Sequence, residues 1–197
     1  MFDPRPCAEK GCGRPALSGA PRCIVHVGDP ALQVARILRE AGTPAVFRDL
    51  DLPGISFVDV DLSGAEISGC RLTAATFLRV KLPRAQISLS FLDRATFTEC
   101  DFSGATVQNA VFAGSSLTDC TFIDCEIVQA NFLGIRGVRT VFDHSNLYGS
   151  RFLGSLLEQV SIRDCNLTRA KFDAAHRDGV DFHASNTNEA AFLEPVP

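Results

Sequence analysis

Four residues near the start of the chain have the types and the spacing of a metal site. Cys7, Cys12, Cys23 and His26 follow the pattern C-x4-C-x10-C-x2-H. Zinc prefers four tetrahedral ligands from Cys and His, and a Cys3His set is a common structural choice. Because all four ligands would come from the protein, no coordination position would stay open for a substrate. The pattern therefore predicts a structural zinc ion rather than a catalytic one.

Two other interpretations of this cluster stay open at the level of sequence. The residues could be three reduced cysteines and a surface histidine, or one disulfide with a free thiol, which a reducing compartment disfavours. The surrounding segment, residues 1–28, has little apolar surface with which to build a core. A bound metal would supply folding free energy that packing cannot, so we interpret residues 1–28 as a zinc-binding segment.

The next segment, residues 29–46, is predicted to be one short helix and a linker. Asp29 is the predicted N-cap and Pro30 the first helical residue, while Gly42 and Pro44 end the helix. The helix would cover the first coil of the structure that follows, because exposed β edges invite aggregation. Binding of a partner is the alternative role. The predicted apolar face of the helix consists of Leu32, Ala35, Ile37, Leu38 and Ala41.

Large apolar residues then recur at every fifth position from Phe47 to Phe192. Neither an α-helix, with its period of 3.6, nor a β-strand, with its period of 2, produces this spacing. The residue two positions earlier is small or apolar and never charged, so each unit points one large and one small side chain inward. Gly137, Arg177 and Thr187 interrupt the series. Self-similarity over so many units indicates a repeat architecture.

The five-residue unit resembles the pentapeptide repeats, as in AEISG at residues 65–69 and ANFLG at residues 130–134. The resemblance covers residues 47–192 and implies an all-β solenoid, a right-handed quadrilateral β-helix of about seven coils with four pentapeptides in each. The sequence departs from the family pattern one residue before each large side chain, where Asp or Asn is less frequent than in the family. Residues 193–197 would form a C-terminal tail.

The repeat also predicts the environment of several less regular residues. Gly137 and Arg177 should lie on one face, two coils apart, as bulges, as excursions that return in phase or as tolerated irregularities. Cysteines at the small inward position are predicted to be packing groups rather than redox centres, because free Cys behaves as a small buried hydrophobe. These are Cys70, Cys100, Cys120, Cys125 and Cys165.

No pattern of catalytic residues stands out in the sequence. Asp143, His144 and Asp164 share one predicted face, where we interpret them as a solvated cluster, and neither a phosphate-binding glycine loop nor a nucleophile elbow is present. No apolar run has the length of a membrane-spanning helix, and the N-terminus lacks the apolar stretch of a signal peptide. These features predict a cytoplasmic protein that is not an enzyme and does not contact a membrane.

Binding through the outer faces is the function that a repeat architecture favours. Phe91 is outward in the predicted register, and with Leu89 and Val111 it forms a predicted apolar patch. Leu133 and Leu153 form a second outward pair, one coil apart. Exposed aromatic residues beside other apolar groups mark protein interfaces. The predicted partner is therefore a protein, which the sequence does not identify, and homodimer formation is a further option.

The family resemblance implies an alternative, because some pentapeptide repeat proteins mimic DNA and bind type II topoisomerases such as DNA gyrase, protecting them from quinolones. Mimicry requires a continuous negative face, and here Lys81, Arg84 and Arg163 interrupt the most acidic one. The net charge of −4 also disfavours direct nucleic-acid binding, including binding through a zinc knuckle. The predicted mimic face carries Asp61, Asp101, Asp124, Asp143, Asp164 and Asp181.

Overall fold

The computed structural model describes residues 5–193, which form a loop-rich segment, one α-helix, a parallel β-solenoid of about seven coils and a short 3₁₀ helix (Thr187–Glu189). This confirms the predicted fold class. Of the predicted C-terminal tail, residues 194–197 lie outside the described residues, as do residues 1–4 of the predicted zinc-binding segment.

The solenoid consists of very short strands that alternate with tight corners. Each strand has three residues, of which the middle one points into the core. The strands of the described residues are β1 (Val46–Arg48), β2 (Ser56–Val58), β3 (Glu66–Ser68), β4 (Thr76–Leu78), β5 (Gln86–Ser88), β6 (Thr96–Thr98), β7 (Thr106–Gln108), β8 (Ser116–Thr118), β9 (Glu126–Val128), β10 (Arg136–Val138), β11 (Leu156–Glu158) and β12 (His176–Asp178).

All strand pairs are parallel and pair residues that are 20 apart in sequence, as Phe57 and Phe77 do. Strands β1, β3, β5, β7 and β9 form one sheet, and β2, β4, β6, β8, β10, β11 and β12 form another. The two remaining sides of the coil are held by single parallel bridges. One side runs through Phe91 and Val111, and we call it the Phe91 face. The other runs through Lys81 and Asp101, and we call it the Asp101 face.

Stacked phenylalanine rings fill the interior. Phe102 and Phe122 stack with ring centroids 4.3 Å apart, and Phe152 and Phe172 with centroids 4.8 Å apart. The tract cysteines are free and buried at the small inward position, as predicted. Serine serves equally well there, since the Cys125 thiol and the Ser145 hydroxyl each donate to the carbonyl of the residue 23 positions earlier.

Gly137 and Arg177 are neither bulges nor excursions, contrary to two of the predicted alternatives. Gly137 lies in β10 and Arg177 in β12, and both pair in register with Leu157 of β11. Leu157 and Val160 fill the space inside Gly137, so the missing side chain leaves no gap. The guanidinium of Arg177 lies 5.1 Å from the centre of the Phe192 ring, where a cation–π contact stabilises it.

Helix α1 (Pro30–Ala41) begins as predicted, because the Asp29 carboxylate accepts hydrogen bonds from the backbone N–H groups of Ala31 and Leu32. Part of its predicted apolar face is wrong. Ile37 is buried, but Leu32 is 69% exposed and Gln33 is buried in its place. Gln33 is preferred because its amide donates to the carbonyl of Ser18 (3.3 Å), a contact that leucine cannot make. Within residues 5–193, no helix is long and apolar enough to cross a membrane.

Replacement of Gly137 by leucine, the residue that the repeat favours, should destabilise the solenoid. A Cβ at this position would lie 3.1 Å from Leu157 Cδ2 and 3.5 Å from Val160 Cγ2. We expect Gly137→Leu to lower the free energy of unfolding by about 1–3 kcal/mol through overpacking, as measured by urea denaturation. The control is Gly134→Asn at an open corner, and its free energy of unfolding should stay near that of the wild type. A midpoint for Gly137→Leu at or above that of the wild type would contradict this account.

Candidate metal centre and binding face

The three cysteines and the histidine of the N-terminal segment converge on one point. Their ligand atoms all lie within 4.8 Å of one another. The Sγ atoms of Cys12 and Cys23 are 3.8 Å apart, and His26 Nδ1 lies 3.6 Å from Cys7 Sγ and 3.5 Å from Cys23 Sγ. A tetrahedral site with metal–sulfur bonds of about 2.3 Å and metal–nitrogen bonds of about 2.0 Å has edges of about 3.8 Å and 3.5 Å. The donor set and its spacing therefore fit one tetrahedral metal ion.

Local backbone turns bring the four ligands together. The N–H of Cys12 donates to the carbonyl of Glu9 (3.1 Å), and the N–H of His26 donates to the carbonyl of Cys23 (3.0 Å). The N–H of Cys23 donates to the Cys7 sulfur (3.4 Å). This bond lowers the pKa of the Cys7 thiol and favours the thiolate, the form that binds metal. Cys7 and Cys23 are buried, whereas Cys12 and His26 are half-buried.

The same segment closes the open end of the Phe91 face. Ser18 donates its N–H to the carbonyl of Asp51 (2.8 Å), and its hydroxyl accepts from the N–H of Asp51 (2.7 Å). Leu17 is buried in the same apolar cluster as the first coils. The Asp51 carboxylate in turn accepts from Arg71 Nε of the next coil (2.7 Å). The segment around the candidate metal centre therefore binds the backbone edge that the first coil would otherwise expose.

The five apolar residues predicted as interaction sites lie on one side of the solenoid. Phe91 and Val111 are bridge partners on successive coils, and Leu133 and Leu153 lie on the same face two residues beyond the bridge positions Asn131 and Arg151. Leu89 is at the adjoining corner. Leu89, Phe91 and Leu133 are 65%, 43% and 48% exposed, while Val111 and Leu153 are half-buried. The two predicted patches thus lie on one side of the solenoid. The 20-residue spacing of the coils could have predicted this from the sequence.

Two other exposed large apolar residues lie on the seven-stranded sheet. Leu156, 47% exposed, and Val58 lie near opposite ends of the seven-stranded sheet, and threonines stand between them on β6 and β8. Sequence analysis did not single out either residue, although the repeat places both at outward positions. Val58 pairs in register with Leu78 of the next coil, so the Phe91 face differs from that sheet in that its apolar residues extend over four successive coils and include an aromatic ring.

Several acidic residues of the predicted mimic face have hydrogen-bond partners within the solenoid. Asp181 accepts from Arg163 Nε (2.7 Å), and Asp143 accepts from the Ser161 hydroxyl (2.6 Å) and the N–H of Arg163 (3.0 Å). The hydroxyl of Ser63 lowers the pKa of Asp61. Lys81 lies between Asp61 and Asp101 in the order of coils.

Asp124 and Asp164 lie at the corner beside the Asp101 face, with His144 between them in the order of coils. His144 Nδ1 is 3.7 Å from Asp164 Oδ2, and both side chains are exposed. This pair has the solvated character expected from the sequence. Basic residues and internal hydrogen bonds therefore break the acidic surface along its length, which lowers its field at a distance.

The repeat tract matches known protein families. Residues 115–192 match the family profile "Pentapeptide repeat region", and residues 45–79 and 95–134 match "Pentapeptide repeats (8 copies)". The chain belongs to the pentapeptide repeat family. No curated protein matches it.

Solved pentapeptide repeat structures resemble the chain at low identity. HetL, involved in heterocyst differentiation regulation in Nostoc sp. strain PCC 7120, is 17% identical over 74% of this chain and 88% of its own, with a TM-score of 0.31. A trypsin-treated variant of QnrB1, a plasmid-mediated fluoroquinolone resistance protein, is 17% identical over 73% and 79%, with a TM-score of 0.41. Rfr23 from Cyanothece 51142 is 14% identical over 83% and 99%, with a TM-score of 0.23. No function follows from these likenesses.

The geometry of the four ligands predicts one metal ion per chain. We expect the purified protein to bind one equivalent of Co²⁺ with the absorption of thiolate–cobalt bonds, and Cys23→Ser to abolish this spectrum, because Cys23 contacts both Cys12 and His26. The matched control is Cys125→Ser, which changes a buried cysteine of the solenoid to the residue found at equivalent positions. Equal cobalt spectra for the two variants would show that the cluster is not the metal site.

Proposed function

We propose that this pentapeptide repeat protein is a non-enzymatic scaffold that binds a protein partner on its Phe91 face. The observation that supports the proposal is the collection of Leu89, Phe91, Val111, Leu133 and Leu153 on one side of the solenoid. Contiguous exposed apolar surface that includes an aromatic side chain is characteristic of protein interfaces. None of these five side chains is needed to fill the core, since the inward positions of their coils are already occupied.

The shape of the face supports the same function. Gly134 and Gly154 form successive corners beside Leu133 and Leu153, and a Cβ at either glycine would meet no atom within 4 Å. The two leucines therefore stand at an unobstructed edge. Beneath the face, Phe132 and Phe152 stack with centroids 4.8 Å apart, which holds the backbone rigid. A rigid apolar surface loses little conformational entropy when a partner binds.

Within the described solenoid, the polar side chains that could react either face solvent or serve in packing. His144, His176 and His183 point outward and are exposed, and the interior contains apolar side chains and hydrogen-bonded Ser, Thr and Cys. No specific observation favours DNA mimicry or gyrase binding, because the candidate acidic residues are paired or interrupted by basic residues. A cytoplasmic location and homodimer formation stay predictions.

Zinc is the proposed occupant of the Cys3His centre, with a structural role. The three thiolates and one imidazole would leave no position open for chemistry, and their spacing matches the edges of a tetrahedral zinc site. By holding residues 7–26 together, the metal would keep Ser18 in place against Asp51 and so protect the first coil. The metal would then stabilise the scaffold without contacting the partner.

Metal analysis tests the assignment of zinc. We expect protein purified without chelators to contain about one equivalent of zinc, and its removal to lower the melting temperature. Ser18→Ala, which removes only the hydroxyl that caps Asp51, should lower the melting temperature while leaving the zinc content unchanged. Less than half an equivalent of zinc in the wild type would contradict the assignment.

Charge introduced on the Phe91 face should abolish partner binding. We expect Phe91→Asp and Leu133→Asp to lose the partners that the wild type retains in a pull-down, because each buries a carboxylate in an apolar contact. The matched control, Leu156→Asp, changes an equally exposed leucine on the seven-stranded sheet and should retain them. Retention of all partners by the two Phe91-face variants, at an unchanged urea midpoint, would refute the proposal.

A further inference from the structure

The Phe91 face also has a particular arrangement of charge. Its acidic side chains are engaged within the solenoid. Asp51 binds Arg71, Asp93 accepts from the Thr73 hydroxyl (2.8 Å), and Asp173 accepts from the N–H of Leu193 (2.9 Å). Each of these carboxylates therefore already accepts at least one hydrogen bond from within the solenoid.

Two basic side chains of this face have no ion-pair partner within the described residues. Arg151 and Lys171 are bridge partners on successive coils, and both are exposed. Within residues 5–193, neither one forms an ion pair. By contrast, Arg94 on the same face lies 3.3 Å from Asp93. Arg151 and Lys171 therefore present two adjacent positive charges to any molecule that covers the face.

These charges continue the line of apolar residues. The bridge positions run in the order Phe91, Val111, Asn131, Arg151 and Lys171, one per coil. With coils about 4.8 Å apart, this row is about 19 Å long. One end is apolar and aromatic, the middle has an amide, and the other end is cationic. A ligand lying along the row would meet a change from apolar to positive surface.

The Asp101 face has the opposite balance of charge. With its corner it carries more carboxylates than basic side chains, whereas Asp59 and Asp119 beside the seven-stranded sheet are neutralised by Arg79 and Arg139. The chain as a whole has a net charge of −4. An acidic ligand would be repelled by the Asp101 face, so its approach to the Phe91 face is more favourable.

We infer that the partner of the Phe91 face binds through an acidic amphipathic segment, with apolar side chains over Phe91 and Val111 and carboxylates over Arg151 and Lys171. This inference rests on the proposed function and specifies its partner. A segment spanning the row would need about 13 residues as a helix or about six as a strand. The apolar contacts would provide most of the affinity, and the two charges would determine orientation and selectivity.

The inference is tested by reversing the two charges. We would measure binding of the partner captured by the wild type to the full-length Arg151→Glu/Lys171→Glu variant, and expect affinity to fall by at least tenfold. The matched control, Lys81→Glu/Arg84→Glu, makes the same reversal on the Asp101 face and its corner. Its affinity for the partner should stay within about twofold of the wild-type value. Arg151→Lys should bind like the wild type. Added salt should weaken wild-type binding more than binding of Arg151→Gln/Lys171→Gln.

The outcomes separate this inference from the function on which it rests. If Phe91→Asp and Leu133→Asp both retain the partner at an unchanged urea midpoint, the proposed function itself fails. If Phe91→Asp loses the partner but Arg151→Glu/Lys171→Glu retains it, the scaffold function stands and the acidic segment is refuted. Hydrogen exchange should map the contact to a partner segment that contains both apolar and acidic residues, and a protected segment without carboxylates would also refute it. So would a captured nucleic acid, or a second copy of this chain as the occupant.

Discussion

The stacking of each residue on the residue 20 positions later is the constraint on which the whole structure depends. Parallel backbone hydrogen bonds join successive coils, as from the N–H of Thr96 to the carbonyl of Ala75, and phenylalanine rings stack along the same direction. Both interactions require every coil to have the same length and phase. Gly137 and Arg177 show how strongly this holds, because the backbone keeps its register where the inward side chain is missing or charged.

A stack of identical coils has a weak point at each end, where backbone groups lack a following coil. At the N-terminal end, Ser18 supplies both a donor and an acceptor to Asp51, and helix α1 places Ile37 against the core. The segment that carries Ser18 has little core of its own and is organised around the Cys3His cluster. The candidate metal centre and the first coil are thus linked through a few hydrogen bonds.

Because the interior is used for packing, differences between one side and another are confined to outward residues. Ion pairs such as Asp59–Arg79 and Asp119–Arg139 join neighbouring coils, and each arginine lowers the pKa of its carboxylate partner. Such pairs make much of the surface electrostatically self-contained. The Phe91 face departs from this pattern, since it carries apolar residues on four successive coils and Arg151 and Lys171 have no ion pair within the described residues.

The sequence by itself determined the solenoid and singled out the four residues of the candidate metal centre. A five-residue period is a local pattern that is compatible with few folds, and a Cys3His set is a common structural zinc site. Tertiary structure alone decided the local exceptions to the pattern. Leu32 faces solvent because Gln33 has a hydrogen-bond partner on Ser18, and the space inside Gly137 is filled by Leu157 and Val160. These outcomes depend on contacts between segments distant in sequence, which periodicity does not encode.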